Sequence, residues 1–488
     1  MAKNPGGQQN RRSGAGARRI LTCAEAVAAL DKLQDVERAS PAAIDKKAVF
    51  TLERMRKLLD ALGTPCSHYP VVHVAGTKGK GSVCDMLGAA LCGCGLTVGV
   101  YTSPHLLDVR ERIRINGEWV TPEAFGAVVA RVLDAAEDAG VAPTHFEAVT
   151  AAALLHFADE AVDVAVVETG MGGTNDATNV VTPALSAITP IHSEHAEVLG
   201  PALTDIAAHK AGIIKPGVAA LSAPQTPEVA EVLRARAAGV GAPLRVVGVD
   251  CDYSYRFQSD PDLGPHFRVT MSDRRHTFEG VPAPLKGDHQ AVNCALVLAA
   301  VGVLREQGMD LPEVGVVEGL ARTQANGRAE LVFADPRIVV DGAHTPESVG
   351  NLVRALGAHM KFDSAVVVFG CAADKDVAGL LANLAQGADK VIFTKATGHA
   401  RGAEPRELLR AYAEHASGKM AQAAPTVKDA INMAARAVQR GDLVVVTGSF
   451  AVAGEAKRLL LAKQGLVREE GGVIREVKPL TATGAWRR

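Results

Sequence analysis

The sequence predicts an α/β fold in which a mainly parallel sheet is followed by a second, smaller α/β domain. Short runs of Val, Ile and Ala alternate with helical segments between residues 71 and 217. This alternation is typical of parallel sheets with helices on both faces. The same alternation begins again near residue 337. Because the chain has 488 residues, we expect two or three domains.

Three segments are predicted along the chain. Residues 1–20 are polar, basic and rich in glycine, and they lack the apolar core of a signal peptide. We therefore expect a disordered tail there. Residues 21–327 are predicted to form the first domain and residues 328–488 the second, with a hinge at the Asn326–Gly327 turn.

Within the first domain, helical sequence at 22–62 precedes a glycine-rich loop, and Asn116–Gly117 predicts a hairpin. Residues 243–285 contain more polar and aromatic residues than their surroundings, and they predict a small antiparallel excursion. A clear helix follows, with Gln290 and Asn293 near its start. After residue 471 the sequence is only weakly patterned.

The composition excludes few classes but disfavours two kinds of partner. Apolar residues make up 48% and charged residues 22% of the chain, as in ordinary globular proteins. The net charge of −2 and the aromatic content of 4% disfavour nucleic-acid binding. Apolar runs long enough to span a membrane are absent, and the eight cysteines form no C-x-x-C pair. We therefore expect a cytoplasmic protein without membrane or nucleic-acid partners.

The segment Val71–Ser82 (VVHVAGTKGKGS) joins a strand-like run to a helical segment through three glycines and two lysines. Glycines let backbone N–H groups turn toward an anion, and a helix N-terminus adds positive potential. This pattern predicts a phosphate loop, with Lys80 at the β- and γ-phosphates and Ser82 on an oxygen linked to magnesium. The strict G-x-x-x-x-G-K-[ST] pattern is not met, because Val74 replaces its first glycine and Gly81 separates Lys80 from Ser82. A flexible turn between strand and helix is the alternative interpretation.

Two further strands end on residues that can bind metal. Glu168 closes a strand of Val and Ala, where a carboxylate is costly without a partner, and a divalent cation is a natural one. An exposed strand end is the alternative. His195 follows the next strand, and a hydrogen-bonded structural histidine is the alternative there. Lys210 lies near the end of a helix, and its residue type and position alone assign it no role.

The start of the second domain carries another polar group. Asp341 and His344 end its first strand, and Arg328 lies just before that strand. Two interpretations remain open for Arg328 and Asp341. They bind ribose and phosphate from the far side of the site, or they form an interdomain ion pair.

Taken together, these motifs resemble those of the folylpolyglutamate synthase and dihydrofolate synthase family, in the Mur-ligase superfamily. The likeness covers nearly everything after the first 20 residues. The order of nine short motifs is specific, although each motif alone is weak. The motifs are Gly76–Ser82, Thr102–Leu106, Glu168–Asn179, His195–Gly200, Lys210–Gly217, Gly287–Asn293, Gly327–Glu330, Asp341–His344 and Thr447–Glu455.

The resemblance implies a P-loop central domain of the Mur-ligase type and a C-terminal Rossmann-like domain. It implies a bifunctional, ATP-dependent ligase that adds L-glutamate to dihydropteroate and to the γ-carboxylate of reduced folates. An acyl phosphate forms and ADP leaves, and then the amine of glutamate displaces phosphate. These small molecules and one or two Mg²⁺ ions are the expected partners, and we expect a monomer.

The resemblance also implies roles for individual residues. The triphosphate cradle matches Gly76, Thr77, Lys78, Gly79, Lys80, Gly81 and Ser82. Other nucleotide contacts match Asn293, Arg328, Asp341 and His344. Magnesium ligands, direct or through water, match Ser82, Ser103, Glu168, His195 and Lys210. Pterin or folate contacts match Phe50, Phe146, Glu147, Asn175, Asp176 and Ala177, and Lys375 matches a position for glutamate or phosphate.

The expected catalytic residues are Lys80, His195 and Lys210. Lys210 matches a lysine that this superfamily carboxylates with CO₂, and the resulting carbamate is an anion able to hold a second metal. Some positions depart from the family pattern. Lys78 replaces a common Asn, and Thr174 and Asn175 replace an Arg–Leu pair beside the expected pterin wall. This last difference concerns substrate preference.

Two rival functions follow from the same motifs. A muropeptide ligase of the same superfamily would need a further N-terminal domain, for which the helical segment before the phosphate loop leaves little room. A P-loop kinase or ATP-dependent switch would hydrolyse ATP without folate or glutamate. Such a switch would have no use for Lys210 or for the motifs of the second domain.

Overall fold

The computed structural model describes residues 19–35, 51–416, 418–470 and 473–477, which contain two α/β domains. Most of the predicted tail and Phe50 lie outside the described residues. The first domain is built on an eight-stranded sheet with the strand order β4-β3-β2-β5-β1-β6-β7-β8. Its strands are β1 Val71–Ala75, β2 Val98–Tyr101, β3 Ile113–Ile115, β4 Glu118–Trp119, β5 Val164–Glu168, β6 Leu185–Ile188, β7 Ala219–Ser222 and β8 Leu244–Val246.

Strands β2, β5, β1, β6, β7 and β8 pair in parallel, whereas β3 and β4 add an antiparallel edge. The prediction of a mainly parallel sheet is confirmed. Helices cover both faces of this sheet. They are α1 Cys23–Leu30, α2 Leu52–Ala61, α3 Lys80–Gly93, α4 Pro122–Asp138, α5 His145–Asp159, α6 Ala196–Leu199, α7 Leu203–Ala211, α8 Pro227–Gly239, α9 Asp288–Glu306 and α10 Glu313–Leu320.

Strand β1 lies at the centre of the first domain, and all five of its residues are buried. Side chains alternate between the two faces of a strand. Accordingly, Val72 and Val74 pack in a cluster with α3 and α9, whereas Val71 packs with α1, α2, α4 and α5. The buried strand at 71–75 therefore holds the glycine-rich loop at a fixed point between two cores.

The predicted antiparallel excursion is confirmed as a three-stranded sheet, with strands β9 Asp252–Asp260, β10 Gly264–Ser272 and β11 Thr277–Pro282. The chain then continues into α9, the longest helix of the described residues. Among the described residues, no helix is long and apolar enough to cross a membrane.

The second domain contains a six-stranded sheet with the order β12-β13-β17-β14-β15-β16, parallel except at the β12 edge. Its strands are β12 Glu330–Ala334, β13 Arg337–Val340, β14 Ala365–Phe369, β15 Lys390–Phe393, β16 Met420–Ala423 and β17 Leu443–Thr447. Its helices are α11 Pro346–His359, α12 Val377–Gly387, α13 Pro405–His415, α14 Val427–Ala437 and α15 Phe450–Lys463. The domain boundary after residue 327 stays a prediction.

A C-terminal hairpin is formed by β18 Val467–Glu470 and β19 Val473–Glu476, and its second strand lies where the sequence is weakly patterned. Its residues contact both domains. Val473 packs in the first-domain cluster that contains α4 and α5, and Ile474 packs in a second-domain cluster. The backbone N–H of Ile474 also donates to Asp108 Oδ2 at 3.2 Å.

Candidate active site

A cleft of about 1110 Å³ opens at the carboxyl ends of β1, β2 and β5, with the second domain as its opposite wall. Ligands of open parallel sheets bind at this edge. The cleft brings together most of the residues singled out from the sequence. These are Thr77, Lys78, Gly79, Lys80, Gly81, Ser82, Ser103, Phe146, Glu147, Glu168, Asn175, Asp176, Ala177, His195, Arg328, His344 and Lys375.

Four other predicted site residues, Gly76, Lys210, Asn293 and Asp341, lie behind the surface of the cleft rather than on it. Gly76 and Lys210 contact each other, because Lys210 Nζ donates to the Gly76 carbonyl oxygen at 2.6 Å. Asn293 lies against the phosphate loop from α9. These four residues can therefore affect a bound ligand only through the residues in front of them, or after a change in side-chain position that brings them to the cleft.

The glycine-rich loop has the geometry of an anion site only at its end. The N–H groups of Thr77 and Lys78 already donate to the Pro190 carbonyl oxygen, at 3.0 and 3.3 Å. The N–H groups left for an anion are those at the start of α3, which have no acceptor within the helix. Gly79 precedes that helix with a φ of +88°, and a Cβ atom there would lie 2.5 Å from Asn293 Oδ1. Glycine is therefore required at position 79.

Glu168 is a buried carboxylate that lines the cleft. Its Oε2 accepts a hydrogen bond from the Ser103 N–H at 3.1 Å. Burial raises the pKa of Glu168 to about 7, although the charge of Lys80 opposes this shift. A divalent cation would restore the lost solvation and favour the ionised form. The carboxylate of Glu168 and the hydroxyl of Ser82 are oxygen donors of the kind that Mg²⁺ prefers, so these residues fit that ion.

Two of the expected catalytic residues, Lys210 and His195, are also perturbed by burial. Burial lowers the pKa of Lys210, only 4% exposed, to about 7, and the charge of Lys80 lowers it further. Burial likewise lowers the pKa of His195 to about 4, whereas Glu194 opposes that shift. Near neutral pH, His195 is thus uncharged and a large fraction of Lys210 is a neutral amine.

Among the described residues, a single group of three His, Cys, Asp or Glu side chains has spacing suited to a metal, and it lies outside the cleft. It consists of Asp273, His276 and Glu306. Arg245 already binds both carboxylate oxygens of Glu306, at 3.0 and 2.6 Å. This group is therefore an ion-pair network in the structure.

The expected pterin wall is held by its own hydrogen bonds. The Glu147 carboxylate accepts from Arg54 at 3.0 Å and from the Thr144 N–H at 2.8 Å, which caps α5. The Asp176 carboxylate accepts from the N–H groups of Met171 and Thr178, at 2.8 and 3.0 Å. Both carboxylates border the cleft, yet their present partners make them supports of its wall.

Arg328 and Asp341 differ in what they bind. Arg328 Nη1 donates to Asp85 Oδ2 of α3 at 2.7 Å, so Arg328 forms an interdomain ion pair in the structure. Asp341 is not its partner. The Asp341 carboxylate instead accepts from the N–H groups of Ala329 and Ala343, each at 2.7 Å, and burial raises its pKa.

Among the acidic residues of the cleft that sequence reasoning missed, Asp85 and Glu194 make the contacts between the domains. Asp85 binds both Arg328 and Arg114. Its signal was a charged residue within the mainly apolar stretch of α3 that follows Ser82. Glu194 directly precedes His195, and the sequence analysis assigned a role only to His195.

Glu194 connects the phosphate loop to the second domain. Its Oε1 lies 2.9 Å from Lys78 Nζ and 3.3 Å from His344 Nε2. Burial opposes ionisation of Glu194, but the hydrogen bond to His344 and the charge of Lys78 hold its pKa well below the usual range. Lys78 and His344, both expected at the nucleotide, therefore share one carboxylate.

Comparison with known proteins matches both halves of the chain to domain families. Residues 74–301 match the Mur ligase middle domain, and residues 327–450 match the Mur ligase glutamate ligase domain. The dihydrofolate synthase/folylpolyglutamate synthase of Mycobacterium tuberculosis is 34% identical over 441 residues, 84% of this chain and 90% of that protein. The Escherichia coli protein of the same name is 34% identical over 418 residues, 85% of this chain and 92% of that protein. A probable bifunctional folylpolyglutamate synthase/dihydropteroate synthase of Haloferax volcanii is 36% identical, but the chain spans 48% of its length.

Solved structures show the same relationship. M. tuberculosis folylpolyglutamate synthase complexed with ADP superposes with a TM-score of 0.80 at 32% identity, covering 90% of this chain and 98% of that one. E. coli FolC in complex with DHPP and ADP gives a TM-score of 0.78 at 31% identity, covering 91% of this chain and 98% of that one. With both Mur ligase domains matched and relatives aligned over most of their length, the chain belongs to the folylpolyglutamate synthase/dihydrofolate synthase family of Mur ligases.

Proposed function

We propose that the protein is a bifunctional dihydrofolate synthase and folylpolyglutamate synthase. It joins L-glutamate to dihydropteroate and to the γ-carboxylate of reduced folates, with ATP as the energy source. The observation that carries this proposal is the cleft itself. There Lys80 at the start of α3, the buried Glu168 and Arg328 of the second domain all face one space. Two further findings support it. Both Mur ligase domains match this chain, and the dihydrofolate synthase/folylpolyglutamate synthase of E. coli is a relative over most of its length.

In the first step, a carboxylate oxygen of the folate or pteroate attacks the γ-phosphorus of ATP, and ADP leaves. Lys80 and the N–H groups at the start of α3 hold the charge that spreads over the transferring phosphoryl group. Arg328 adds positive charge from the second domain. Bound at Ser82, Ser103, Glu168 and His195, Mg²⁺ would supply further charge neutralisation and orient the phosphates.

In the second step, the α-amine of glutamate attacks the acyl carbon of the mixed anhydride. Phosphate leaves with the electron pair of the broken C–O bond, and the amine loses a proton. Lys375 lies on the second-domain wall of the cleft, together with Asp374 and Arg401. We assign Lys375 to the carboxylate of the incoming glutamate or to the departing phosphate.

We also propose that Lys210 is carboxylated by CO₂. A neutral amine adds to CO₂ and loses a proton, and the pKa of about 7 gives Lys210 that neutral form at physiological pH. The carbamate would be an anion behind the phosphate loop, where Lys210 Nζ now donates to the Gly76 carbonyl oxygen. Such an anion would complete the metal site that Glu168 begins.

The deciding experiment is ADP release with ATP, Mg²⁺ and L-glutamate, comparing dihydropteroate with a reduced folate monoglutamate. Turnover with both acceptors is the expected result, and turnover with one would restrict the proposal to that activity. ADP release that is independent of both acceptors would contradict the ligase and favour an ATP-dependent switch.

A second experiment tests the carbamate. Lys210→Ala should lose nearly all activity and regain part of it with added short carboxylates. Lys215→Ala is a matched control, because Lys215 lies on the same segment and donates to the Asn179 carbonyl oxygen. Full activity of Lys210→Ala without any added carboxylate would show that the carbamate is not needed.

A further inference from the structure

His359, the last residue of α11, joins the second domain to the backbone of the first. Its side chain is 7% exposed. The Gly287 N–H lies 3.0 Å from its Nε2, and its Nδ1 lies 2.9 Å from the Pro265 carbonyl oxygen. An N–H only donates and a carbonyl oxygen only accepts, so the two bonds require a neutral ring with its hydrogen on Nδ1. His359 is thereby bound to two separate first-domain segments.

The Gly287 end of this contact leads directly to the phosphate loop. Gly287 precedes α9, and the first turn of α9 carries Gln290. Gln290 Nε2 donates to Ser82 Oγ at 3.1 Å, and its Oε1 accepts from Asn293 Nδ2 at 3.0 Å. Asn293 in turn closes the space beside Gly79. A continuous path therefore runs from a second-domain histidine to the residues that shape the anion site.

We propose that His359 is a positioning residue for the nucleotide. By fixing the backbone at the start of α9, it holds Gln290 and Asn293 against the phosphate loop. The docked second domain thus supports tight nucleotide binding without touching the nucleotide at this point. This inference rests on the proposed function, because that function assigns the loop to ATP.

A purely structural role is the competing explanation, because the ring also packs on aromatic neighbours. Its centroid lies 5.2 Å from that of Phe257 and 5.6 Å from that of Phe267. Two variants separate the explanations. His359→Phe keeps an aromatic ring but makes neither hydrogen bond, whereas His359→Gln keeps a group that can donate and accept. Phe257→Leu is the matched control, since it removes a packing partner and leaves both hydrogen bonds.

The measurements are the Kd for ADP with Mg²⁺ by calorimetry, and the kcat and the KM for ATP from ADP release, on the full chain. For His359→Phe we expect the Kd and the KM to rise about tenfold, which is the effect of losing one or two hydrogen bonds. We expect kcat to stay within about threefold, because the proposal places the effect in nucleotide binding. His359→Gln should recover most of the affinity, and Phe257→Leu should keep the wild-type Kd. If the Phe variant does not fold, His359→Leu, which also makes neither bond, replaces it.

Equal ADP affinity in wild type and His359→Phe would overturn the inference. So would an equal loss in Phe257→Leu, which would leave packing as the cause, or a Gln variant as weak as the Phe variant. Failure of the proposed function looks different, because it appears as wild-type turnover that ignores both acceptors. ADP binding by itself does not depend on those acceptors.

Discussion

His73 should make the stability of the first domain depend on pH. This side chain lies on the central strand β1 and is fully buried. Its Nε2 lies 2.8 Å from Thr178 Oγ1, and that hydroxyl gives its hydrogen to Asp176. The His73 Nε2 must therefore donate, which leaves Nδ1 without a hydrogen. No hydrogen-bond partner for Nδ1 is present in the part of the chain that the structure describes.

The size and sign of the effect follow from the pKa of this group. Burial, and then the charge of Lys215, lower the pKa of His73 from 6.5 to about 3. Between these two values the unfolded chain binds a proton that the folded chain does not, so the free energy of unfolding falls as the pH falls. From pH 8 to pH 5 the loss is about 2 kcal/mol. This figure depends mainly on the unfolded pKa, provided that the folded pKa stays below about 4.

The assay is urea unfolding at pH 5, 6, 7 and 8 for the wild type and for His73→Gln, whose amide does not titrate. The sequence has two tryptophans. A Trp486→Phe background in both proteins therefore leaves Trp119 of the first domain as the fluorescent probe. The wild type should lose about 2 kcal/mol more than the variant between pH 8 and pH 5. Parallel pH profiles in the two proteins would refute the reasoning.

Three further outcomes follow from the cleft. Lys80→Ala should lower the kcat for ADP release at least about a hundredfold, because the charge on the transferring phosphoryl group loses its lysine partner. The circular dichroism spectrum should stay unchanged, because alanine suits the first turn of a helix. Near-normal turnover would exclude a phosphate role for Lys80. Gly79→Ala should cost about 2 kcal/mol in urea unfolding and weaken ADP binding in calorimetry, because its backbone is left-handed and Asn293 fills the space of a Cβ; wild-type values would contradict this. Arg328→Met should raise the KM for ATP about tenfold, because the cleft loses a positive charge and Asp85 is left with Arg114 as its remaining partner. Arg328→Lys, which keeps the charge, should raise the KM less. An unchanged KM would show that the ion pair does not contribute to ATP binding.

The sequence was most informative where a single strand end determines position. Glu168 and the loop after β1 could be placed in one cleft, because the carboxyl ends of neighbouring parallel strands lie at the same edge of a sheet. The partners of Glu194 and Asp85 could not be predicted. Glu194 and His344 are separated by 150 positions and meet only because the two domains dock in one orientation. No local pattern encodes that orientation.

Two other features could not be predicted from the local sequence pattern, for related reasons. Lys210 looks like an ordinary helix lysine until the burial that lowers its pKa is known. The hairpin at 467–476 consists of two four-residue strands, and its side chains are divided between two cores. Neither core alone imposes a regular alternation on so short a segment.

This hairpin has a consequence for the order of events during biosynthesis. The contact between Arg110 and the Ile474 carbonyl oxygen joins residues 364 positions apart, and Val473 completes a cluster otherwise made of residues between 23 and 181. Residue 473 leaves the ribosome after every one of those partners. The contacts of Val473 in this cluster can therefore form only when nearly the whole second domain has been synthesised. Domains generally fold in the order of their synthesis, and contacts of large sequence separation form slowly. The contacts of Arg110 and Val473 are therefore among the last that the first domain gains, after most of the second domain has been synthesised.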